Sequence, residues 1–145
     1  MDSGTLGPLL SLSIHAARSP AELILSHFNN PGLSIDHKGD GSPVTAADRE
    51  AETRIRAVLQ RDPCSADFDI LGEEFGGTEK KTQYRWLIDP IDGTRSFVNR
   101  IPLFGTILAL EESETYFGGV DSNTNVSTSR SGARLDTRRI SIPTT

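Results

Sequence analysis

The residues best placed to do chemistry are two short acidic clusters. Glu73-Glu74 follows Ile70-Leu71-Gly72, and Asp89-Pro90-Ile91-Asp92-Gly93-Thr94 follows Trp86-Leu87-Ile88. Each apolar run has the length and residue types of a strand, so each cluster stands at a strand end. Carboxylates at strand ends converge readily, and several anionic oxygens in one place repel one another unless a cation neutralises them. Hard oxygen donors select magnesium, manganese or calcium over softer metals. Asp92-Gly93-Thr94 adds a second capacity. Gly93 lets the backbone approach a ligand closely, and a helical turn beginning near Thr94 would point free N–H groups at an anion. Carboxylates for a divalent cation beside amides for a phosphate are the parts of a phosphoryl-transfer site.

Taken singly, these fragments have bland readings. A lone Asp-Gly-Thr is most often a turn, and a lone Glu-Glu pair is most often solvated. Their order, each on a strand end, reverses the balance. One rival motif, the Asp-x-Asp-Gly-Thr of haloacid-dehalogenase phosphatases, does not fit. Here the two aspartates are three apart, with Pro90-Ile91 between them. On a strand that spacing puts them on opposite sides, so a turn is expected to begin between them.

The elements that must position these groups follow from periodicity. Leu9, Leu10, Leu12, Ile14, Ala16 and Ala17 mark a first amphipathic helix. Ser19-Pro20-Ala21-Glu22 reads as a new helix start with Ser19 as cap, so the segment is one kinked helix or two. Asn29-Asn30-Pro31-Gly32 ends it. His37 to Ser42 is a loop or hairpin tip. Thr45-Ala46-Ala47-Asp48 opens a further helix with Thr45 as cap, a stripe of Ile55, Val58 and Leu59, and a stop at Asp62-Pro63. Strands are expected at Phe68–Leu71, Arg85–Ile88 and Gly105–Leu110. Helices first and strands after imply a layered α+β protein. After Glu112 the composition turns to Ser, Thr, Asn, Arg and Gly, with no sustained period.

Composition narrows the partners. The 145 residues suffice for one domain, and the net charge of −5 does not suggest nucleic acid or a membrane. Residues 1–112 carry 17 acids and 11 bases, and residues 113–145 carry 3 acids and 4 bases, so the negative charge lies with the candidate cation site. Cys64 is the only cysteine, which accords with a reducing cytoplasm. No apolar run reaches the roughly 18–20 residues of a membrane span, and Leu6–Ile14 lacks the basic leader of a signal peptide. His15, His27 and His37 show no metal-ligand spacing, Cys64 has no evident base, and Trp86 reads as core. Arg54, Arg56 and Lys80-Lys81 read as solvated charges.

Gly72-Glu73-Glu74 followed by Trp86-Leu87-Ile88-Asp89-Pro90-Ile91-Asp92-Gly93-Thr94 resembles the signature of the inositol monophosphatase-like family. Lys38 with Ser42-Pro43-Val44-Thr45-Ala46-Ala47-Asp48 is similar to that family's first motif. The resemblance covers roughly residues 5–112 and, through Arg95-Ser96-Phe97 and Ile101-Pro102-Leu103-Phe104-Gly105-Thr106, is nearest the histidinol-phosphate phosphatase branch. It implies an αβαβα sandwich of the inositol monophosphatase/fructose-bisphosphatase type, truncated to its N-terminal half. Residues 1–112 would be the metal-binding half, and 113–145 an atypical tail, disordered or out of frame. The implied cofactor is Mg2+, held by Glu73, Asp89, the Ile91 carbonyl and Asp92. Asp48 and Thr94 would pair to activate the attacking water, with Glu73 also in the catalytic set. Gly93, Thr94 and Arg95 would meet the substrate, Lys38 would lie near the metals, and Glu74 would stand behind the ligands. The implied reaction is hydrolysis of a small phosphate monoester by metal-activated water, histidinol phosphate before inositol monophosphate, in a homodimer when complete. The family's last aspartate ligand, in a Trp-Asp-x-Ala-type motif, has no counterpart here. The expected chain is therefore weakly active or inactive alone, or a non-catalytic metal-binding or dimerising fragment.

Overall fold

The computed structural model describes residues 3–77 and 82–112, together with the backbone of 115–121 and 125–128. The N-terminal segment is two helices, α1 (Ser3–Arg18) and α2 (Ala21–Asn29). Ser19 does not cap α2. Its hydroxyl instead donates to the Ala16 carbonyl at 2.8 Å and closes α1, and α2 starts from Pro20 without a side-chain cap. Strands β1 (Ile35–His37) and β2 (Pro43–Thr45) form an antiparallel hairpin. Its tip is closed by Lys38 N–H on the Ser42 carbonyl at 2.8 Å, which places Lys38 at the tip.

Helix α3 (Ala46–Arg61) begins where Thr45 predicts. Thr45 and Asp48 form a reciprocal capping box: the Asp48 N–H donates to Thr45 Oγ1, and Asp48 Oδ2 accepts from the Thr45 N–H at 2.7 Å. The chain then enters a sheet of β3 (Asp69–Gly72), β4 (Tyr84–Asp92), β5 (Gly105–Glu112), β6 (Thr115–Asp121) and β7 (Asn125–Thr128), in that spatial order. β3 runs parallel to β4, and the later pairs are antiparallel. A five-residue helix, α4 (Thr94–Val98), lies between β4 and β5. The stretch after Glu112, read as lacking a strand period, thus pairs over two segments, and its remaining residues lie outside the described set.

Alternation along the strands sends Ile70, Trp86, Ile88, Leu108 and Leu110 to one face, where Leu9, Leu12, Ala16 and Ala17 of α1 and Ile55 and Leu59 of α3 cover them. A second cluster joins Ile24, Ala47, Ala51, Ile91 and Phe97. Phe28, Phe97 and Phe104 meet there with ring centroids 4.9 to 5.5 Å apart. Helix α3 contributes to both clusters. The result is the α+β layering that the order of elements implies, with helices over one face of a mixed sheet. Among the described residues no helix is long and apolar enough to cross a membrane.

β4 departs from expectation where the chemistry lies. It does not turn after Asp89 but continues through Asp92, and its pairing with β5 slips between those two residues. A bulge changes which side of the strand successive residues take, so it does the work expected of a turn. Thr106 Oγ1 donates to the Pro90 carbonyl inside this irregular stretch at 2.8 Å.

Candidate functional site

The first acidic cluster sits on a doubly closed loop. Gly72 N–H donates to the Gly76 carbonyl at 3.0 Å, and Gly76 N–H returns to the Gly72 carbonyl at 2.9 Å. Glu73 N–H donates to the Ile88 carbonyl at 2.9 Å, binding the loop to β4. Glu74 N–H donates to Glu52 Oε2 at 2.7 Å, binding it to α3. From the hairpin tip, Lys38 Nζ donates to Glu73 Oε1 at 2.8 Å and to Glu74 Oε1 at 2.9 Å. Burial alone would pull the Lys38 ammonium down, but these two carboxylates outweigh it and hold it above the ordinary lysine value. Burial likewise pushes the Glu74 carboxyl up, against the pull of Lys38.

Glu73 reaches Asp89 of β4, and the two share a hydrogen bond. Burial of Asp89, together with the charges of Glu73, Asp92 and Asp48, pushes its carboxyl up to about 8. Burial would raise Glu73 as well, but the Lys38 ammonium and the hydrogen bond with Asp89 hold it below the ordinary glutamate value. Asp89 Oδ1 is buried and, among the described residues, has no hydrogen-bond partner.

At the start of α3, Thr45 Oγ1 and N–H both donate to Asp48 Oδ2, at 2.6 and 2.7 Å. The other oxygen, Oδ1, accepts from Thr94 Oγ1 at 3.3 Å, and Thr94 Oγ1 also lies 2.9 Å from the Ile91 carbonyl. Burial raises the Asp48 carboxyl above its ordinary value, and the bonds from Thr45 and Thr94 oppose it. Gly93 precedes α4 with φ +88°, in the left-handed region. A Cβ there would stand 2.7 Å from the Leu103 carbonyl, so both conformation and space require glycine. The first N–H groups of α4, beginning at Thr94, have no partner within the helix by its geometry. Asp92 and Arg95 are exposed on either side of this turn.

The sequence-derived residues are therefore joined in two groups. Lys38, Glu73, Glu74 and Asp89 make one; Thr45, Asp48, Ile91 and Thr94 make the other. Asp92 acts on Asp89 through its charge. As the side chains stand, no set of three or more His, Cys, Asp or Glu among the described residues forms a metal-holding group. In this arrangement Lys38 Nζ occupies one oxygen of Glu73. The donor chemistry nonetheless fits a hard cation at Glu73 and Asp89. An unpartnered, buried carboxylate oxygen costs about 1–3 kcal/mol, and a divalent ion would satisfy it while displacing the proton.

Two residues escape the sequence analysis. Arg56 is not a solvated charge: its Nε donates to Glu52 Oε1 at 2.8 Å and its guanidinium also reaches the Gly76 carbonyl. Glu52 is fully buried beneath the acidic loop. A signal was present, because Glu52 falls on the same helical stripe as Asp48, Ile55 and Leu59, where a charge needs a partner. Lys80 and Lys81 lie outside the described residues.

Residues 6–133 match the inositol monophosphatase family. The chain is 42% identical to a histidinol-phosphatase of Chlorobaculum parvum over 105 residues, 72% of this chain and 39% of that protein. It is 36% identical to an inositol-1-monophosphatase of Mesorhizobium japonicum over 117 residues, 79% of this chain and 43% of that protein. Its fold superposes on a Thermotoga maritima IMPase with a TM-score of 0.74 at 31% identity, covering 92% of this chain and 53% of that one. It thus spans about two-fifths of the curated relatives' length. The family match runs past Glu112, beyond the stretch that the motifs cover, and takes in both final strands. On sequence and fold together, the chain belongs to the inositol monophosphatase family.

Proposed function

We propose that this chain serves Mg2+-dependent hydrolysis of a small phosphate monoester, with histidinol phosphate as the substrate. The observation that carries this reading is the Asp89 carboxyl, set against Glu73 with its Oδ1 buried and, among the described residues, without a hydrogen-bond partner. Glu73, Asp89, the Ile91 carbonyl and Asp92 would hold the cation. When bound, such an ion polarises a phosphate ester and acidifies water. The chain's own groups do the rest. Thr94 Oγ1, bonded to Asp48 Oδ1, can take a proton from an attacking water while passing its own to Asp48. Burial raises the proton affinity of Asp48, which favours its accepting that proton. The amides of Gly93 and Thr94 would hold the phosphate at the start of α4, and Arg95 would face the substrate.

Histidinol phosphate is favoured because the histidinol-phosphatase relative is 42% identical and the inositol-1-monophosphatase relative 36%. Inositol monophosphatase is the second reading. A third is a non-catalytic metal-binding or dimerising fragment. The proposed setting is the cytoplasm, and the proposed assembly of the complete enzyme is a homodimer. The test compares the 145-residue chain with a version extended by the C-terminal half of the Chlorobaculum relative, with both esters, in Mg2+ or in chelator. The extended version should hydrolyse histidinol phosphate only with Mg2+, and Asp89→Asn should lower its rate at least about 100-fold. The chain alone should turn over weakly or not at all. Mg2+-independent hydrolysis, or no effect of Asp89→Asn, would sink the proposal, and cation binding without turnover in both versions would favour the third reading.

A further inference from the structure

We infer that Glu52 and Arg56 are positioning residues: an ion pair on α3, fully buried at Glu52 and half-buried at Arg56, that fixes the loop carrying Glu73 and Glu74. The inference rests on geometry outside the set of proposed ligands. Glu52 is fully buried, yet both carboxylate oxygens are used. Oε1 accepts from Arg56 Nε at 2.8 Å, and Oε2 accepts from the Glu74 N–H at 2.7 Å. Arg56 extends the grip, because its guanidinium also donates to the Gly76 carbonyl. The pair therefore holds the loop at its middle and at its far end. At the near end the packing is closer still: a Cβ on Gly72 would fall 1.8 Å from Glu52 Oε1, so Gly72 is the residue that lets the carboxylate reach Glu74.

A charge in this position is expensive to desolvate, and a neutral side chain of similar shape would fill the same volume. What a carboxylate supplies is two acceptors and no donor, matched to one guanidinium and one backbone N–H. A glutamine would turn a donor toward one of those two donors. The loop would then lose the tie from Glu52 at its middle, leaving Arg56 on the Gly76 carbonyl, the Glu73 backbone bond to β4 and Lys38 on the Glu73 side chain. The proposed cation reading makes this consequential, since groups that hold a ligand from behind set its orientation toward the metal.

The experiment uses the full 145-residue chain and two readouts, amide hydrogen exchange and Mn2+ titration by calorimetry. Glu52→Gln is the main variant. Arg56→Lys, which keeps the charge but loses the planar fork, is the milder one should the first fail to fold. Glu111→Gln is the control, because Glu111 is another buried carboxylate paired with an arginine, Arg85, but on the sheet. We expect exchange at Gly72, Glu74 and Gly76 to rise about tenfold or more in Glu52→Gln, while the β4–β5 amides stay protected. Arg56→Lys should raise exchange mainly at Gly76 and Gly72. Mn2+ affinity should fall roughly 10–100-fold in Glu52→Gln and stay within about twofold in Glu111→Gln at a comparable loss of thermal stability. Unchanged loop exchange in both variants at Glu52 and Arg56 would overturn the inference. So would equal losses of Mn2+ affinity in the control, which would make the effect one of stability alone. If the unsubstituted chain binds no Mn2+, the cation reading fails by itself, and the loop exchange still decides the role of Glu52.

Discussion

A carboxyl as enclosed as Asp89, with acids beside it, can avoid an unpaired charge in three ways: by pairing with a base, by holding a proton or by binding a cation. The nearest ammonium, on Lys38, is committed to Glu73 and Glu74, so without a cation the proton is what remains. This has a sign. The folded chain binds a proton at Asp89 up to about pH 8, whereas the unfolded chain releases it near the ordinary value of 3.8. The stabilisation is therefore full below the unfolded value and is lost as pH rises through the folded one. In chelator, the thermal midpoint of the chain should fall between about pH 5 and about pH 8, and Asp89→Asn should flatten much of that slope. Asp48 and Glu74 are also raised, so a smaller slope of the same sign should persist. Glu73 is lowered and acts below this window. A slope indifferent to Asp89→Asn would show that the proton is elsewhere. Saturating Mg2+ should replace the proton and remove the share of the slope that belongs to Asp89. Much of this cluster is legible in the sequence, because Glu73, Asp89, Asp48 and Thr94 are polar residues in a fixed order around strand and helix ends. Glu52 shows only through the helical stripe it shares with Asp48, Ile55 and Leu59, and its pairing with Arg56 four residues on does not help, since such a pair looks the same whether solvated or buried.

At the scale of elements, the site is built from two ends and one irregularity. The start of α3 delivers Asp48, and the capping box does so by spending both Thr45 donors on the residue that also receives Thr94. Thr45→Ala should cost about 1–2 kcal/mol in urea denaturation, while Thr45→Ser, which keeps the hydroxyl, should cost clearly less. Equal losses would mean that the methyl, not the cap, matters. The start of α4 delivers the candidate phosphate cradle, and here Gly93 is fixed by φ +88° and by the Leu103 carbonyl. Gly93→Ala should destabilise the chain by roughly 1–3 kcal/mol, whether or not a phosphate is present. Both starts follow from local rules, so Thr45 and Gly93 could be read from the chain alone. The bulge between Asp89 and Asp92 could not. Its slip is set by the partner strand β5 and by Thr106 holding the Pro90 carbonyl, and neither is near it in sequence. For the same reason β6 and β7 escape a periodicity reading. They are strands by pairing, as in Leu110 opposite Gly118 and Gly119 opposite Ser127, rather than by an alternation of apolar residues.

At the scale of the whole chain, the sheet cluster around Trp86 and the aromatic cluster around Phe97 draw on different strands and helices, and α3 joins them. Ala47 and Ala51 pack in the second, and Ile55 and Leu59 in the first. A single helix with successive turns in two cores transmits the loss of either, so the described region should unfold as one unit. The sequence provides a reporter for this, because Trp86 is the only tryptophan and is buried in the sheet cluster. Phe97 is fully buried in the other cluster, against Phe28 and Phe104. Phe97→Ala should cost about 3–5 kcal/mol. Although Phe97 lies in the other core, it should move the Trp86 fluorescence midpoint in urea by the same amount as the far-ultraviolet dichroism midpoint. If fluorescence holds its original midpoint while dichroism shifts, the two cores unfold separately and α3 does not couple them. The acidic loop would then depend on the sheet core, through Glu73 on the Ile88 carbonyl, and the Asp48–Thr94 pair on the aromatic one. Coincident midpoints would instead tie both halves of the candidate site to one folding equilibrium, so that a substitution in either core would withdraw Asp48 and Asp89 together.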